Sequence, residues 1–159
     1  MVMGLKQFDF EDCMREGLLR NVPPSKENAD GSMRAANKWL EEAEKNLENE
    51  VFNSSVLSSY LAMFHSARAI LFSDGFREKS HYCIGRYLEE KYVKKKLLES
   101  KWVELLDHIR ELRHDNQYDI NFFTSRDEAE SALKTAKEFL ERMRILLKEK
   151  ERKSVDSRC

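Results

Sequence analysis

Glycine and proline are scarce in this chain of 159 residues, five and two respectively, which excludes an all-β fold with its many tight turns. Net charge is missing too. Lys and Arg total 28 against 29 Asp and Glu, leaving −1, so the chain as a whole exerts no pull on nucleic acid and any basic site must be local. No apolar run approaches the ~20 residues a membrane-spanning helix requires. The opening MVMGLKQFDF lacks the basic start and apolar centre of a secretory leader. A soluble, cytoplasmic protein is expected. Cys13, Cys83 and Cys159 are an odd count with no Cys-x-x-Cys pair, which fits free thiols in a reducing compartment and no zinc site. The histidines are not spaced with carboxylates as metal ligands would be, so neither a metal nor a cofactor is expected.

What the chain has is charge of both signs, 36% of its residues, and apolar residues at helical spacing. The central stretch Ser54–His81 reads as the most completely buried helix, followed by a sharp stop. One side carries Val56, Leu57, Tyr60, Leu61, Met63, Phe64, Ala67, Ile70 and Leu71, with Arg68 at its edge. The other holds Ser58, Ser59, Ala62, His65, Ser66 and Ala69 rather than charges. A helix with no wet face has neighbours all round, and its small side admits the close approach of another helix or subunit. Gly75 supplies a left-handed stop, and Ser80 can cap the helix that follows.

Around this post, Met33, Ala36, Leu40, Ala43 and Leu47 form one stripe, and Tyr82, Ile84, Tyr87, Leu88 and Tyr92 a second. Leu98, Trp102, Leu105, Leu106, Ile109 and Leu112 form a third, fraying over Arg113–Tyr118 where Asp-Asn-Gln is weak helix sequence. Ser125 and Glu128 form a capping box before the last stripe, Ala129 to Leu147. The fold expected is all-α, an up-and-down bundle of four to five core helices. An accessory helix near Phe8–Leu19 precedes it, tethered by the Pro23-Pro24 segment. The organisation is therefore 1–31 as accessory helix and linker, 32–148 as the bundle, and 149–159 as a polar, disordered tail.

Reactive groups are densest from His108 to Asp119. Arg110, Arg113 and Gln117 share a helix face. Guanidinium forks grip phosphate bidentately, so one reading is a phosphate or RNA site extending to Tyr118 and Asp119. The other is a solvated helix end, where cations suit the dipole. His65 and His81 each read as packed, hydrogen-bonded residues more readily than as ligands. Lys91, Lys94, Lys95, Lys96 and Lys101 are the one strong basic run, either a nucleic-acid contact or a solvated turn. No serine or cysteine nucleophile is signalled.

The string Tyr60-Leu-Ala-Met-Phe-His-Ser-Ala-Arg-Ala-Ile-Leu-Phe72, then Gly75, then Ser80-His81, resembles the central helix pair of prokaryotic HEPN domains. Leu112-Arg113 with Tyr118-Asp119 resembles that family's LR…DY segment, and Ser125–Leu147 its closing helix; together the match spans about Met33 to Lys148. The resemblance implies an α-helical bundle, usually a homodimer, often encoded beside a minimal nucleotidyltransferase as its partner in a toxin–antitoxin pair. Active members resemble metal-independent ribonucleases using an Arg and a His four to six residues apart. Here the Arg is Arg113, but Tyr118 stands where the His is expected, and His114 is adjacent to Arg113. Tyrosine is a poor base at neutral pH. The expectation is a non-catalytic HEPN protein that binds nucleotide or RNA, or a nucleotidyltransferase. The alternatives are an endoribonuclease using Arg113 with His114 or Tyr118, and a purely structural dimer.

Overall fold

The computed structural model describes residues 8–121 and 123–156. Met1–Gln7 and Cys159 therefore lie outside the described residues. The fold is all-α: α1 (Phe10–Arg15), α2 (Lys26–Glu48), α3 (Phe52–Asp74), α4 (His81–Leu88), α5 (Ser100–Tyr118) and α6 (Arg126–Asp156). A π-helical turn, Glu89–Val93, prolongs α4. Two three-residue strands, β1 (Leu19–Asn21) and β2 (Phe76–Glu78), pair antiparallel with Leu19 opposite Glu78 and Asn21 opposite Phe76. Segments this short carry no alternation, and the sequence gives no sign of them.

The post is α3, buried on both sides as its residue pattern requires. Its small-residue face lies on α2 of the same chain. Ser55 Oγ donates to the Ala43 carbonyl at 2.9 Å, Ser32 Oγ on α2 donates to the His65 carbonyl at 2.7 Å, and Asn46 Nδ2 bonds Ser58 Oγ at 3.2 Å. Serine and alanine let the two backbones come close, and each hydroxyl buried by that approach needs a partner. The small side thus meets a neighbouring helix of the same chain. The large side of α3 packs on α4, α5 and α6, burying Tyr60, Met63, Ile70 and Leu71 with Tyr87, Phe139, Met143 and Leu146. Side chains of this size each contribute about 1.5–3 kcal/mol when fully buried.

Element ends differ from the sequence expectation in several places: α1 spans Phe10–Arg15 rather than Phe8–Leu19, with Leu19 already in β1, and α3 starts at Phe52 rather than Ser54. Helix α2 starts at Lys26 rather than near Met33, because Ser25 Oγ caps Asn28 N at 3.0 Å directly after the Pro23-Pro24 segment. Helix α5 runs through to Tyr118 without fraying. There Asn116 Nδ2 is bonded to the Asn53 carbonyl at 3.0 Å and Gln117 is held by Arg113. Helix α6 starts at the expected cap, Ser125 Oγ accepting from Glu128 N at 3.1 Å, but continues to Asp156, past the point where a disordered tail was expected. Ser80 occupies the N-cap of α4 with extended backbone but makes no side-chain cap bond.

The N-terminal arm is fastened to the bundle rather than tethered loosely. Asp9 and Asp12 form a reciprocal capping box on α1, and Val22 N donates to the Gly75 carbonyl at 2.9 Å. Gly75 ends α3 at φ 89, and a Cβ there would stand 2.8 Å from the Val22 carbonyl oxygen. Cys13 and Cys83 are joined by a disulfide. This overturns the expectation of free thiols for that pair. Seventy residues separate the two, and only the folding back of the arm along β2 brings them together.

Candidate functional site

Three elements converge on the ring of Tyr60. From α3, Tyr60 itself is almost fully buried, with Phe64 one turn on at 6.3 Å between ring centroids. From the start of α4, His81 Nδ1 lies 2.7 Å from the Tyr60 hydroxyl, and the imidazole stacks on Phe64 with centroids 4.1 Å apart. From α5, the Arg113 guanidinium sits over the Tyr60 ring at 4.9 Å. Each contact follows from helical register. Tyr60 and Phe64 are four apart on one face, and Arg113 is one residue beyond Leu112 at the edge of the α5 stripe.

A second cluster adjoins it. Two guanidinium groups lie near the Tyr82 ring, Arg86 at 4.4 Å and Arg110 at 5.3 Å from its centroid. Arg86 bonds Asp107 at 2.5 Å and Glu89 at 3.1 Å, and Arg110 lies 3.7 Å from Asp107. On the far side Arg68 is paired with Glu78 at 2.9 Å. These arginines are matched by carboxylates. Among the described residues Arg113 forms no ion pair: its Nη1 donates to the neutral Gln117 side chain at 3.1 Å, and its Nε is buried without a hydrogen-bond partner. Of the four arginines in these two clusters, Arg68, Arg86, Arg110 and Arg113, it alone has no carboxylate partner among the described residues.

That field acts on the histidines. Partial burial, then Arg113 and Arg110, push His81 down to about 4 from its ordinary 6.5. Burial and Arg68 lower His65 as well. Burial raises the Tyr60 phenol, against the pull of Arg113 and Arg110. At neutral pH the site therefore holds a neutral imidazole and a neutral phenol beside an unpaired guanidinium. With Tyr60 donating to Nδ1, the imidazole proton sits on Nε2, a donor for an anion. In the other tautomer Nδ1 donates to the Tyr60 oxygen and Nε2 is a base.

Of the residues singled out in sequence, Arg113 and Gln117 touch directly, and Arg110 stands nearby but leans on Tyr82. Tyr118 and Asp119 point elsewhere. Tyr118 is 69% exposed and packs beside His114 at 4.8 Å, while Asp119 accepts from the Asn121 amide at 2.9 Å. Tyr60 and His81 were not read as site residues, since one falls in an apolar stripe and the other at a helix start. The available signal was a phenol that must find a partner inside that stripe. Among the described residues no group of His, Cys, Asp and Glu could hold a metal ion, and no helix is long and apolar enough to cross a membrane.

The geometry defines a class: a helical bundle with an arginine–tyrosine–histidine cluster where its central post meets two later helices. The HEPN domain model matches residues 29–146, and the chain belongs to the HEPN domain family. It is similar to a Methanocaldococcus jannaschii protein named "Putative toxin MJ0605", 29% identical over 117 residues that cover 69% of this chain and 87% of the relative.

Proposed function

We propose that this is a toxin–antitoxin-type HEPN protein that binds the phosphate of a nucleotide or RNA at Arg113, without cleaving it. We further propose that it works as a cytoplasmic homodimer with a minimal nucleotidyltransferase as partner. The observation that carries this reading is the unpaired guanidinium of Arg113, pre-oriented by the Tyr60 face and Gln117. A phosphate oxygen would complete its hydrogen bonding and could accept from His81 Nε2 as well. The toxin named in the similar protein supports the physiological setting. Support for a dimer comes from Ile120 and Phe123, 92% and 83% exposed beside Tyr118 in the α5–α6 connection, an apolar patch that a second copy would cover. The test is fluorescence anisotropy with a labelled single-stranded RNA and with a labelled nucleotide. Arg113→Ala should weaken binding about 10–100-fold, the loss of about 1.5–3 kcal/mol from a charge-assisted pair. Equal affinity for wild type and variant would end the proposal. A single monomer species in sedimentation would remove the dimer, and failure to co-purify with a neighbouring nucleotidyltransferase would remove that partner.

One observation favours a second reading, cleavage. His81 is neutral at pH 7 and linked through Tyr60 to Arg113, so the chain has a candidate base that the Arg-to-Tyr118 spacing does not show. RNA cleavage in EDTA that disappears in both Arg113→Ala and His81→Ala would replace binding by catalysis. Absence of cleavage by wild type would dismiss it.

A further inference from the structure

A second place where cations converge lies on the opposite side of α4. Tyr82 and Arg86 of α4 face the arginine cluster, whereas Tyr87 faces a cleft of about 350 Å³ between the π-helical turn and the C-terminal half of α6. Lys91 and Lys95 enter it from the turn and Lys150 and Lys153 from α6, two elements remote in sequence. The basic run seen in the sequence is thus split: Lys94 is tied to Glu90, and only part of the run reaches the cleft. The π turn is a real departure from α-helix, with Lys94 N bonded to the Glu89 carbonyl at 2.9 Å. Such turns recur at functional sites.

The floor of the cleft is neutralised from within. The Asp74 carboxylate accepts from the Tyr87 and Tyr92 hydroxyls, both at 2.6 Å, and is ion-paired with Lys150, which also reaches Ser73 Oγ at 3.1 Å. Asp74 therefore has little capacity left for an incoming cation. Among the described residues Lys91, Lys95 and Lys153 form no ion pair, against one remaining carboxylate, Glu149. The ammonium of Lys91 is held over the rings of Phe10 and Phe76, at 5.0 and 5.8 Å. Phe76, Leu97 and Leu146 give the cleft an apolar wall. Three cations without a carboxylate partner among the described residues, around an apolar wall and in a space at the small end of ligand pockets (about 300–1,000 Å³), match a small amphipathic anion better than a polymer strand.

We propose that this cleft binds a small organic phosphate, its phosphate between Lys91, Lys95 and Lys153 and its apolar body against Phe76, Leu97 and Leu146. The site is separate from Arg113 and does not depend on the function proposed above. The experiment is an amide NMR titration of the full chain with phenyl phosphate, inorganic phosphate, phenol and a short oligoribonucleotide. Phenyl phosphate should shift Lys91–Leu97 and Lys150–Lys153 saturably, more tightly than inorganic phosphate, and phenol should not bind. The exposed double variant Lys95→Glu/Lys153→Glu should weaken phenyl phosphate at least tenfold, and the remote Lys134→Glu should leave it unchanged. Equal weakening by Lys134→Glu, unchanged binding in the double variant, inorganic phosphate binding as tightly as phenyl phosphate, or response to the oligoribonucleotide alone would each overturn it.

Discussion

The placement of His81 among the arginines can be tested by titration. The imidazole is half-buried, stacked on Phe64, bonded to Tyr60, and faces Arg113, Arg110 and Arg68. Burial first, and the arginines second, hold its pKa at about 4 against 6.5 in an unfolded chain. Between those values the unfolded state binds more protons than the folded one. Stability contributed by the neutral imidazole is therefore fully present above pH 6.5, lost as pH falls from 6.5 to 4, and constant below. The full gap converts to about 3 kcal/mol; because the ring is half exposed to screening water, about 1–2 kcal/mol is expected. The assay is the proton–carbon NMR shift of the imidazole from pH 3.5 to 8. Wild-type His81 should titrate below 6.5 by about one unit or more, the shift that corresponds to this energy. Arg113→Ala should raise that midpoint by about 0.5–1 pH unit, since one charge across a partly wet site is worth about 1 kcal/mol. Arg126→Ala, which removes an arginine that pairs with Glu50, should not move it. A midpoint near 6.5 that ignores Arg113→Ala would refute the geometry on which the site rests.

Gly75→Ala should destabilise the fold by about 2–4 kcal/mol in urea unfolding, because φ is 89 and the added Cβ meets the Val22 carbonyl at 2.8 Å. Stability within 0.5 kcal/mol of wild type, on the scale of an ordinary surface change, would mean that the arm does not pack there. For the disulfide, denatured non-reduced protein should show one reactive thiol rather than three, and Cys13→Ala should cost about 2–4 kcal/mol for a bridge across 70 residues. Three reactive thiols would show that the bridge does not form.

The post was legible because its signal is local. Nine apolar residues on one side and six small or neutral ones on the other leave no wet face, and both sides are covered as that pattern requires. The start of α2 was illegible because Lys26–Gly31 offers one apolar residue, Ala29, and a stripe needs several; a serine cap decides the start instead. The candidate site was half visible for a similar reason. Arg113 and Gln117 are one helical turn apart, so spacing alone brings them together. Tyr60 and His81 are 21 residues apart across a glycine stop, and no periodicity relates them. Their meeting depends on how sharply α3 ends and where α4 is pinned.

That pinning is supplied largely by residues before the family match at residue 29. The arm donates Val22 N to the Gly75 carbonyl, pairs its β1 with β2 from Phe76 to Glu78, accepts from Lys79 N at the Leu18 carbonyl at 2.8 Å, and joins Cys13 to Cys83. Tyr82 donates back to the Phe8 carbonyl at 2.9 Å. His81 stands in the middle of this fastened stretch, where Ser80 provides no side-chain cap of its own. A half-buried imidazole beside three arginines is not a favourable place for a cation, and a loose helix start would let it swing into water and protonate. The arm removes that freedom by fixing backbone on both sides of His81. The α3 post and α5 supply Tyr60 and Arg113, and the N-terminal arm holds the third member of the cluster in place against them.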